Sequence, residues 1–487
     1  MATVSKLKKL LHRKALESVC PLPLTATAGS FICSDKFDLI NGARAFYVAG
    51  ASGIYMYEGQ EDGWMTLPNS GIAGTFASGA CGEFRGLGAM GGVFTQTATA
   101  GTTTTITSNR TVVRSIANQR IRVVAGTGVG YEGTVQSNTL GANAVITVTP
   151  ANGVAFDATT QYQVYSGSLW FFNAGTTAVG FSVYDLATNA WTAKSVTGLP
   201  TAWGIDGALI STLGSAASFA TETSTGTNTS TTLNNTGKAW STDMWKNYQI
   251  RITGGTGKGQ IRTISTNSAT AITVSSAWTV TPDATSHYSI EGDDDSFYLL
   301  GNNAVTMYKY SVSGNSWATL SPVAARAGAA AGGVMADWID GVTAWNGNES
   351  QINHYNNQIF KQNGRYIYSF RGGGVSTLDV YDVAGNTWIS NVPYGGQMET
   401  FTGGSSAIDI SGAIYINKEA TGRLFRFDVN ENRLLPLNTN TQQSTLGGAA
   451  LTGNRLFVLP YNDGGTTLQF LYIVRHSSAD TVRMLLI

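Results

Sequence analysis

The sequence predicts an all-β protein assembled from repeats of one antiparallel unit, with two copies of a second β unit set into it. Three observations lead there: a glycine-rich, charge-poor composition, an aromatic spacing that recurs along the chain, and a long segment that occurs twice. Of 487 residues, 58 are glycine and only 12% are charged, about half the usual charged share. A coiled coil or long-helix protein needs far more Glu, Lys and Arg, so that class is excluded. Disorder is excluded too, because 42% hydrophobic and 10% aromatic content supplies a large core. Thirty Lys and Arg against thirty Asp and Glu leave no basic footprint for nucleic acid. No apolar run approaches the roughly 18–20 residues that cross a bilayer, so no membrane span is expected. The first 20 residues lack the apolar stretch of a secretory signal. Cys20, Cys33 and Cys81 are too scattered for a disulfide framework or a zinc site.

The repeat is an aromatic, six residues, then Trp: Tyr57-EGQEDG-Trp64, Tyr184-DLATNA-Trp191, Tyr310-SVSGNS-Trp317 and Tyr381-DVAGNT-Trp388. A fifth copy, Phe427-DVNENR-Leu434, keeps the spacing with other apolar groups. Between the anchors lies turn chemistry such as Thr188-Asn189, Gly314-Asn315 and Gly385-Asn386, which suits a tight hairpin. A β-type run precedes each anchor: AFYVAG at 45–50, SLWFFNAG at 168–175, SFYLLG at 296–301, RYIYSFRGGG at 365–374 and AIYINKE at 413–419. A sixth unit, RLFVLP at 455–460 and LQFLYIV at 468–474, lacks the Trp.

With the Gly-Gly pairs 91–92, 332–333, 403–404 and 447–448, this spacing resembles the kelch repeat of β-propellers. The segments YDLATNAW and YDVAGNTW are similar to that family's consensus. The resemblance implies a propeller in which Tyr and Trp pack between neighbouring sheets; it implies no single function, since kelch propellers serve many. Anchors fall at 57, 184, 310, 381, 427 and near 472, so the steps are 127, 126, 71, 46 and about 45 residues. A bare blade takes roughly 45–50 residues. Six blades with three insertions are therefore expected, the first two insertions being large.

The large insertions are related to each other. IRVVAGTGVGYEGTVQSNTLGANAVITVTPANGVAFDATTQYQV (121–164) aligns with IRITGGTGKGQIRTISTNSATAITVSSAWTVTPDATSHYSI (250–290). Alternating Thr and Val with glycine turns predicts a small antiparallel domain of four or five strands. The Thr/Ser-rich stretches 95–109 and 221–232 that precede the copies are too polar to form core. The expected organisation is an arm over 1–20, blade 1 and the start of blade 2 over 21–94, and a first inserted domain over 95–165. Blade 2 and the start of blade 3 follow over 166–219, a second inserted domain over 220–291, and blades 3–6 over 292–487, with a shorter insert at about 337–361. All three inserts leave between the first and second strands of their blades and are expected on one face. Such β repeats in threonine-rich chains resemble modules of tailed-bacteriophage virion proteins.

Chemistry is sparse. GGTGKGQ (254–260) fails the phosphate-loop pattern, because Ile252 stands where a glycine is needed and Gly259 follows Lys258 instead of Ser or Thr. The other copy has Val129 in place of Lys258, so a turn is expected. His12, His287, His354 and His476 include no pair at metal-ligand spacing. A copper oxidase on a kelch-like propeller would draw on His354, Tyr355 and His476, with Cys81 as its only conceivable cross-linking thiol. The acidic run Glu291-Gly292-Asp293-Asp294-Asp295 lacks EF-hand spacing and reads as a solvated loop. Trp338, Trp345 and Tyr394 are candidates for stacking on sugars. No catalytic residue, metal site or cofactor is expected.

Residues 4–20, VSKLKKLLHRKALESVC, place Leu7, Leu10, Leu11 and Ala15 on one helical stripe among Lys6, Lys8, Lys9, Arg13 and Lys14. A basic amphipathic helix is expected, docked on another subunit, with a membrane-surface helix or a frayed terminus as the alternatives. Its removal as residues 2–20 is expected to leave a folded monomer that no longer joins its ring or its neighbour. The favoured function is a structural component of a phage tail, neck or baseplate. Its partners would be other virion proteins and copies of itself, its location the virion. The rivals are a propeller that binds host-surface glycan and, less favoured, an oxidase-like enzyme.

Overall fold

The computed structural model describes residues 17–23, 31–34, 44–49, 53–58, 62–73, 80–85, 92–109, 116–139, 143–173, 179–201, 207–211, 222–291, 296–301, 305–326, 334–337, 366–371, 375–396, 406–410, 413–418, 423–428, 431–437, 455–463, 466–474 and 481–486, less a few single positions within these spans. Every regular element among them is a β-strand.

Six sheets follow one plan, in which successive antiparallel strands run outward from an innermost one. The first holds Phe31–Ser34, Arg44–Ala49, Gly53–Glu58 and Gly63–Leu67. The second holds Cys81–Arg85, Ser168–Asn173, Gly180–Asp185 and Ala190–Lys194, and the third Gly207–Ser211, Ser296–Gly301, Met307–Ser311 and Ser316–Thr319. Val334–Asp337, Tyr366–Phe370, Thr377–Asp382 and Thr387–Pro393 make the fourth. The fifth contains Ser406–Ile410, Ala413–Lys418, Arg423–Asp428 and Arg433–Pro436, with Gly395–Gly396 laid parallel along its outer edge. Arg455–Asp463, Thr466–Val474 and Thr481–Leu486 form three strands of the sixth. The innermost strands touch in chain order, and the last, Arg455–Asp463, touches the first, Phe31–Ser34. The contacts return to their start, which is the arrangement of a β-propeller.

Apolar layers fill the spaces between neighbouring sheets. Ile54 and Met56 of the first meet Leu169 and Phe171 of the second. Trp170, Phe172 and Phe181 of the second meet Phe297 and Leu299 of the third. Strands buried on both faces, such as Tyr366–Phe370, accordingly read as continuous apolar runs, the pattern expected of sheets covered on each side.

The fourth strand of the sixth sheet comes from the other end of the chain. Glu17–Val19 pairs antiparallel with Thr481–Leu486, with Glu17 opposite Arg483 and Val19 opposite Thr481. The expected helix over 4–20 is corrected here: its last turn is strand, and the rest lies outside the described residues. An open edge of backbone donors and acceptors on Thr481–Leu486 outweighs the local helical pattern. Val19 and Leu22 are buried in the layer between the sixth and first sheets with Tyr57, Phe457 and Tyr472. The arm and the fold are therefore not separable at residue 20, and removing 2–20 is expected to take the closing strand with it.

Two further sheets interrupt the second and third, each between its first and second strands. Gly92–Gly101, Thr105–Ser108, Arg120–Ala125, Glu132–Asn138, Val145–Thr149 and Gln161–Ser166 close into a barrel. Glu222–Thr223, Thr232–Asn234, Gln249–Gly254, Ile261–Asn267, Ala271–Val274 and His287–Glu291 repeat the same neighbour order, with a seam between the first two. Across that seam Ser224 Oγ and Thr225 N donate to Asn234 O. Each module has six strands, not four or five, because the Thr/Ser-rich stretches contribute strands, Gly92–Gly101 and Thr105–Ser108 in the first and the short Glu222–Thr223 and Thr232–Asn234 in the second. Their polar residues alternate with inward-facing ones, as at Ala98, Ile106 and Leu233. The strand Gly92–Gly101 of the barrel starts three residues before the first of these stretches.

Candidate functional site

The Tyr and Trp anchors converge on the junctions between sheets. In a two-stranded hairpin with this loop length the residue seven places on lies directly across, so Tyr57 faces Trp64, Tyr184 faces Trp191, Tyr310 faces Trp317 and Tyr381 faces Trp388. Their ring centroids are 5.0, 5.3, 5.0 and 5.1 Å apart. Phe427 and Leu434 are opposed in the same way in the fifth sheet. Each anchor pair joins the apolar layer toward the preceding sheet. In the sixth sheet that place falls to Ile473, opposite Val482, while Tyr472 turns toward the first sheet.

The turn residues between the anchors have a second role that the spacing does not show. Five residues after each anchor tyrosine stands an Asp or Asn with left-handed backbone: Asp62 (φ 51°), Asn189 (56°), Asn315 (45°) and Asn386 (46°). Tyr57, Tyr310 and Tyr381 donate their hydroxyls to these side chains at 2.6, 2.7 and 2.7 Å, and Tyr184 donates to Asn189. Asn and Asp tolerate this conformation better than other residues with a side chain. Asn432 takes the position in the fifth sheet (φ 50°), where Phe427 has no hydroxyl, and its amide donates to Pro393 O at 2.8 Å instead. Burial raises the phenols: Tyr184 is pushed up to about 12, and Tyr57 and Tyr381 are raised as well.

In the first three sheets the indole ties the sheet to the connector from its predecessor. Trp191 Nε1 donates to Pro68 O at 3.0 Å and Trp317 Nε1 to Ser195 O at 3.1 Å. Trp64 Nε1 donates to Cys20 O at 3.1 Å, immediately after the strand that closes the sixth sheet. Cys20 N in turn donates to Asp62 Oδ1 at 2.8 Å, the same carboxylate that holds Tyr57. The close approach constrains the connector: a Cβ on Gly198 (φ +99°) would lie 2.1 Å from Trp317 O.

The fourth sheet departs from this plan. Trp388 Nε1 is buried without a hydrogen-bond partner, and the Arg326 guanidinium lies 5.5 Å from the ring centroid. Arg326 Nε donates to Asp379 Oδ2 at 2.8 Å and Nη2 to Ser369 Oγ at 2.8 Å, with the Arg and Asp side chains 2% and 0% exposed. Arg371 completes the cluster 3.8 Å from Asp379. Burial lowers the Arg326 pKa, and the bond to Asp379 opposes that. The corresponding place in the second sheet has Ser182, whose hydroxyl accepts from Ala73 N at 2.9 Å.

The Gly-Thr-Gly turns of the modules are built for the module itself. Thr127 Oγ1 donates to Asp157 Oδ2 at 2.7 Å, and Thr159 N and Oγ1 donate to Oδ1 at 2.7 and 2.6 Å. Thr256, Asp283 and Thr285 repeat this at 2.8, 2.8 and 2.6 Å. These bonds, the Thr159 and Thr285 hydroxyls foremost, lower both carboxyl pKa values. A Cβ on Gly126 or Gly255 would stand 1.8 or 1.9 Å from the Thr159 or Thr285 carbonyl oxygen, so the first glycine of the motif is a packing requirement.

Other candidates resolve as follows. Tyr394, considered for sugar stacking, is 4% exposed and packed between Phe370 and Phe427, which corrects that reading. Cys81 is buried within the second sheet, and His287 pairs through Nδ1 with Thr223 Oγ1 at 3.0 Å. Trp338, Trp345, His12, His354, Tyr355, His476, residues 292–295, most of the 337–361 insert and the stripe Leu7, Leu10 and Leu11 lie outside the described residues. Among the described residues no three His, Cys, Asp or Glu side chains are grouped to hold a metal, and no helix is long and apolar enough to cross a membrane.

No family model and no curated protein matches the chain. Among solved structures it is similar to a six-bladed β-propeller fucose-recognising lectin of Aleuria aurantia at 8% identity, with 92% of this chain and 89% of that one covered and a TM-score of 0.39. It is also similar to U3-55K (8% identity, 97% and 99% covered, TM-score 0.33) and to the endosialidase of phage phi92 (11%, 97% and 69%, 0.29). At such scores these likenesses carry nothing about function, and the fold rests on the strand order described above.

Proposed function

We propose that the chain is a structural virion protein of a tailed bacteriophage, a tail, neck or baseplate component that acts by assembly and without turnover. In this reading the six sheets are the blades of a kelch-type propeller and the two interrupting sheets are inserted domains. The observation that supports it is the duplication: one β module, in one strand order, interrupts successive sheets at the same point. A ring in which three sheets are tied to their predecessors by indole hydrogen bonds is a stiff mount, and two copies of one module on it form a repeated contact surface. The threonine-rich, weakly charged exterior suits association by fitted surface, since long-range self-repulsion is small. Leu7, Leu10 and Leu11 extend the reading: a stripe this short gains little stability alone and is expected to dock on a neighbouring subunit.

Mass spectrometry of gradient-purified particles from a culture carrying the gene tests this. The chain is expected at a fixed ratio to the principal tail subunit. Its absence from intact particles overturns the assignment.

A further inference from the structure

The two modules touch each other, and the way they touch is directional. In the second module the turn 255–259 carries Lys258, whose Nζ donates to Asn138 O of the first module at 3.4 Å. A tip of one copy thus meets a corner of the other, the corner being the end of the strand Glu132–Asn138.

Each module owns both parts. The corner is built identically: Asn138 Oδ1 accepts from Ile116 N at 2.8 Å and its Nδ2 donates to Thr139 O. Asn267 Oδ1 accepts from Trp245 N at 2.7 Å and its Nδ2 donates to Ser268 O. Asn267 O already accepts from Asp243 N, so this corner offers surface more than an acceptor; Ser268 and Ala269 are exposed on it. The tip of the first module is the turn 126–130, which rests on the loop around Asn152 and Phe156. It carries Val129, 65% exposed, where the second has Lys258, and the loop it rests on carries Val154, 52% exposed. The chain engages the second tip with the first corner. The first tip is left presenting two valines, among the most exposed large apolar side chains of the described residues.

We propose that the first module's tip, Val129 and Val154, docks on the Asn267–Ala269 corner of a second copy, continuing head-to-tail the contact made within the chain. The interface is heterologous, so it adds copies in one rotational sense and closes a ring when the rotation permits. The inference rests on the assembly role proposed above and names the surface that performs it.

Two measurements on the full chain test it. Sedimentation velocity is expected to show concentration-dependent oligomers for the wild type. The V129D/V154D variant is expected to stay monomeric at the same concentrations with an unchanged circular dichroism spectrum. A V129C chain mixed with an A269C chain under mild oxidation is expected to give a linked dimer well above the background from Cys20, Cys33 and Cys81, whereas V129C alone does not. A wild type that remains monomeric, oligomers indifferent to V129D/V154D, or linkage of V129C to itself overturns the tip-to-corner contact. Since the particle measurement is separate, a chain found in virions but monomeric here overturns this interface and leaves the virion assignment standing.

Discussion

Replacing Trp317 and Trp388 by Phe, one at a time, separates the indole hydrogen bond from the burial of the ring. Both tryptophans are buried against the preceding sheet, and both face a tyrosine at nearly equal centroid distance. Phe removes a similar apolar area at each, on the order of 1 kcal/mol at about 25 cal/mol per Å². Trp317 also loses its bond to Ser195 O, which adds about 1 kcal/mol. Trp388 has no such bond to lose, and Phe relieves a buried N–H that costs about 1 kcal/mol where it stands. The weaker stacking of Arg326 on Phe returns about 0.5 kcal/mol of that. Trp317→Phe is therefore expected to destabilise by about 2 kcal/mol and Trp388→Phe by less than about 1 kcal/mol. Alanine at either position is expected to cost about 3–5 kcal/mol. Urea titration followed by circular dichroism, with slopes compared to establish a common transition, measures the difference. Equal costs, or a larger one at Trp388, refute the assignment of the indole as a tie between sheets.

Other expectations follow from the same geometry. Deleting residues 2–20 removes the closing strand and is expected to lower the melting temperature by many degrees; a melting temperature equal to that of the full chain contradicts the pairing with Thr481–Arg483. Gly255→Ala, with its Cβ 1.9 Å from a carbonyl oxygen, is expected to unfold the second module, while Gly259→Ala, with nothing within 4 Å, costs only the strain of its backbone, about 1 kcal/mol; limited proteolysis separates the two outcomes. Tyr57, Tyr184 and Tyr381 bind their protons more tightly folded than unfolded, so their stabilising contribution is complete below about pH 10 and is lost as pH rises toward the folded values. Melting temperature is accordingly expected to fall from about pH 10 upward, together with the phenolate absorbance change, and a flat profile to pH 12 refutes that.

What could be read in the sequence was local or repeated. The Tyr-to-Trp spacing carries the hairpin register in one strand of text, and the two module copies announce themselves by alignment. The hydroxyl acceptor at Asp62, Asn189, Asn315 and Asn386 also has a fixed offset, yet its role depends on a left-handed turn that spacing alone does not reveal. Glu17–Val19 was illegible for a different reason. Three residues at the end of a basic, leucine-striped run favour a helix locally, and only an open edge more than 460 residues away makes them a strand. The Arg326–Asp379 pair spans 53 residues, and nothing near either position marks it. In the modules, threonine-rich stretches looked too polar for core, because the inward apolar residues that anchor them, such as Ala98 and Ile106, are a minority of each strand.

Class-averaged electron micrographs of the purified chain test the central claim most directly, namely one ring of sheets bearing two copies of a module side by side. The account predicts a disc with six lobes around a common centre and two adjacent protrusions of equal size on neighbouring lobes. Two separate globular bodies, or protrusions on opposite sides of the disc, would contradict it.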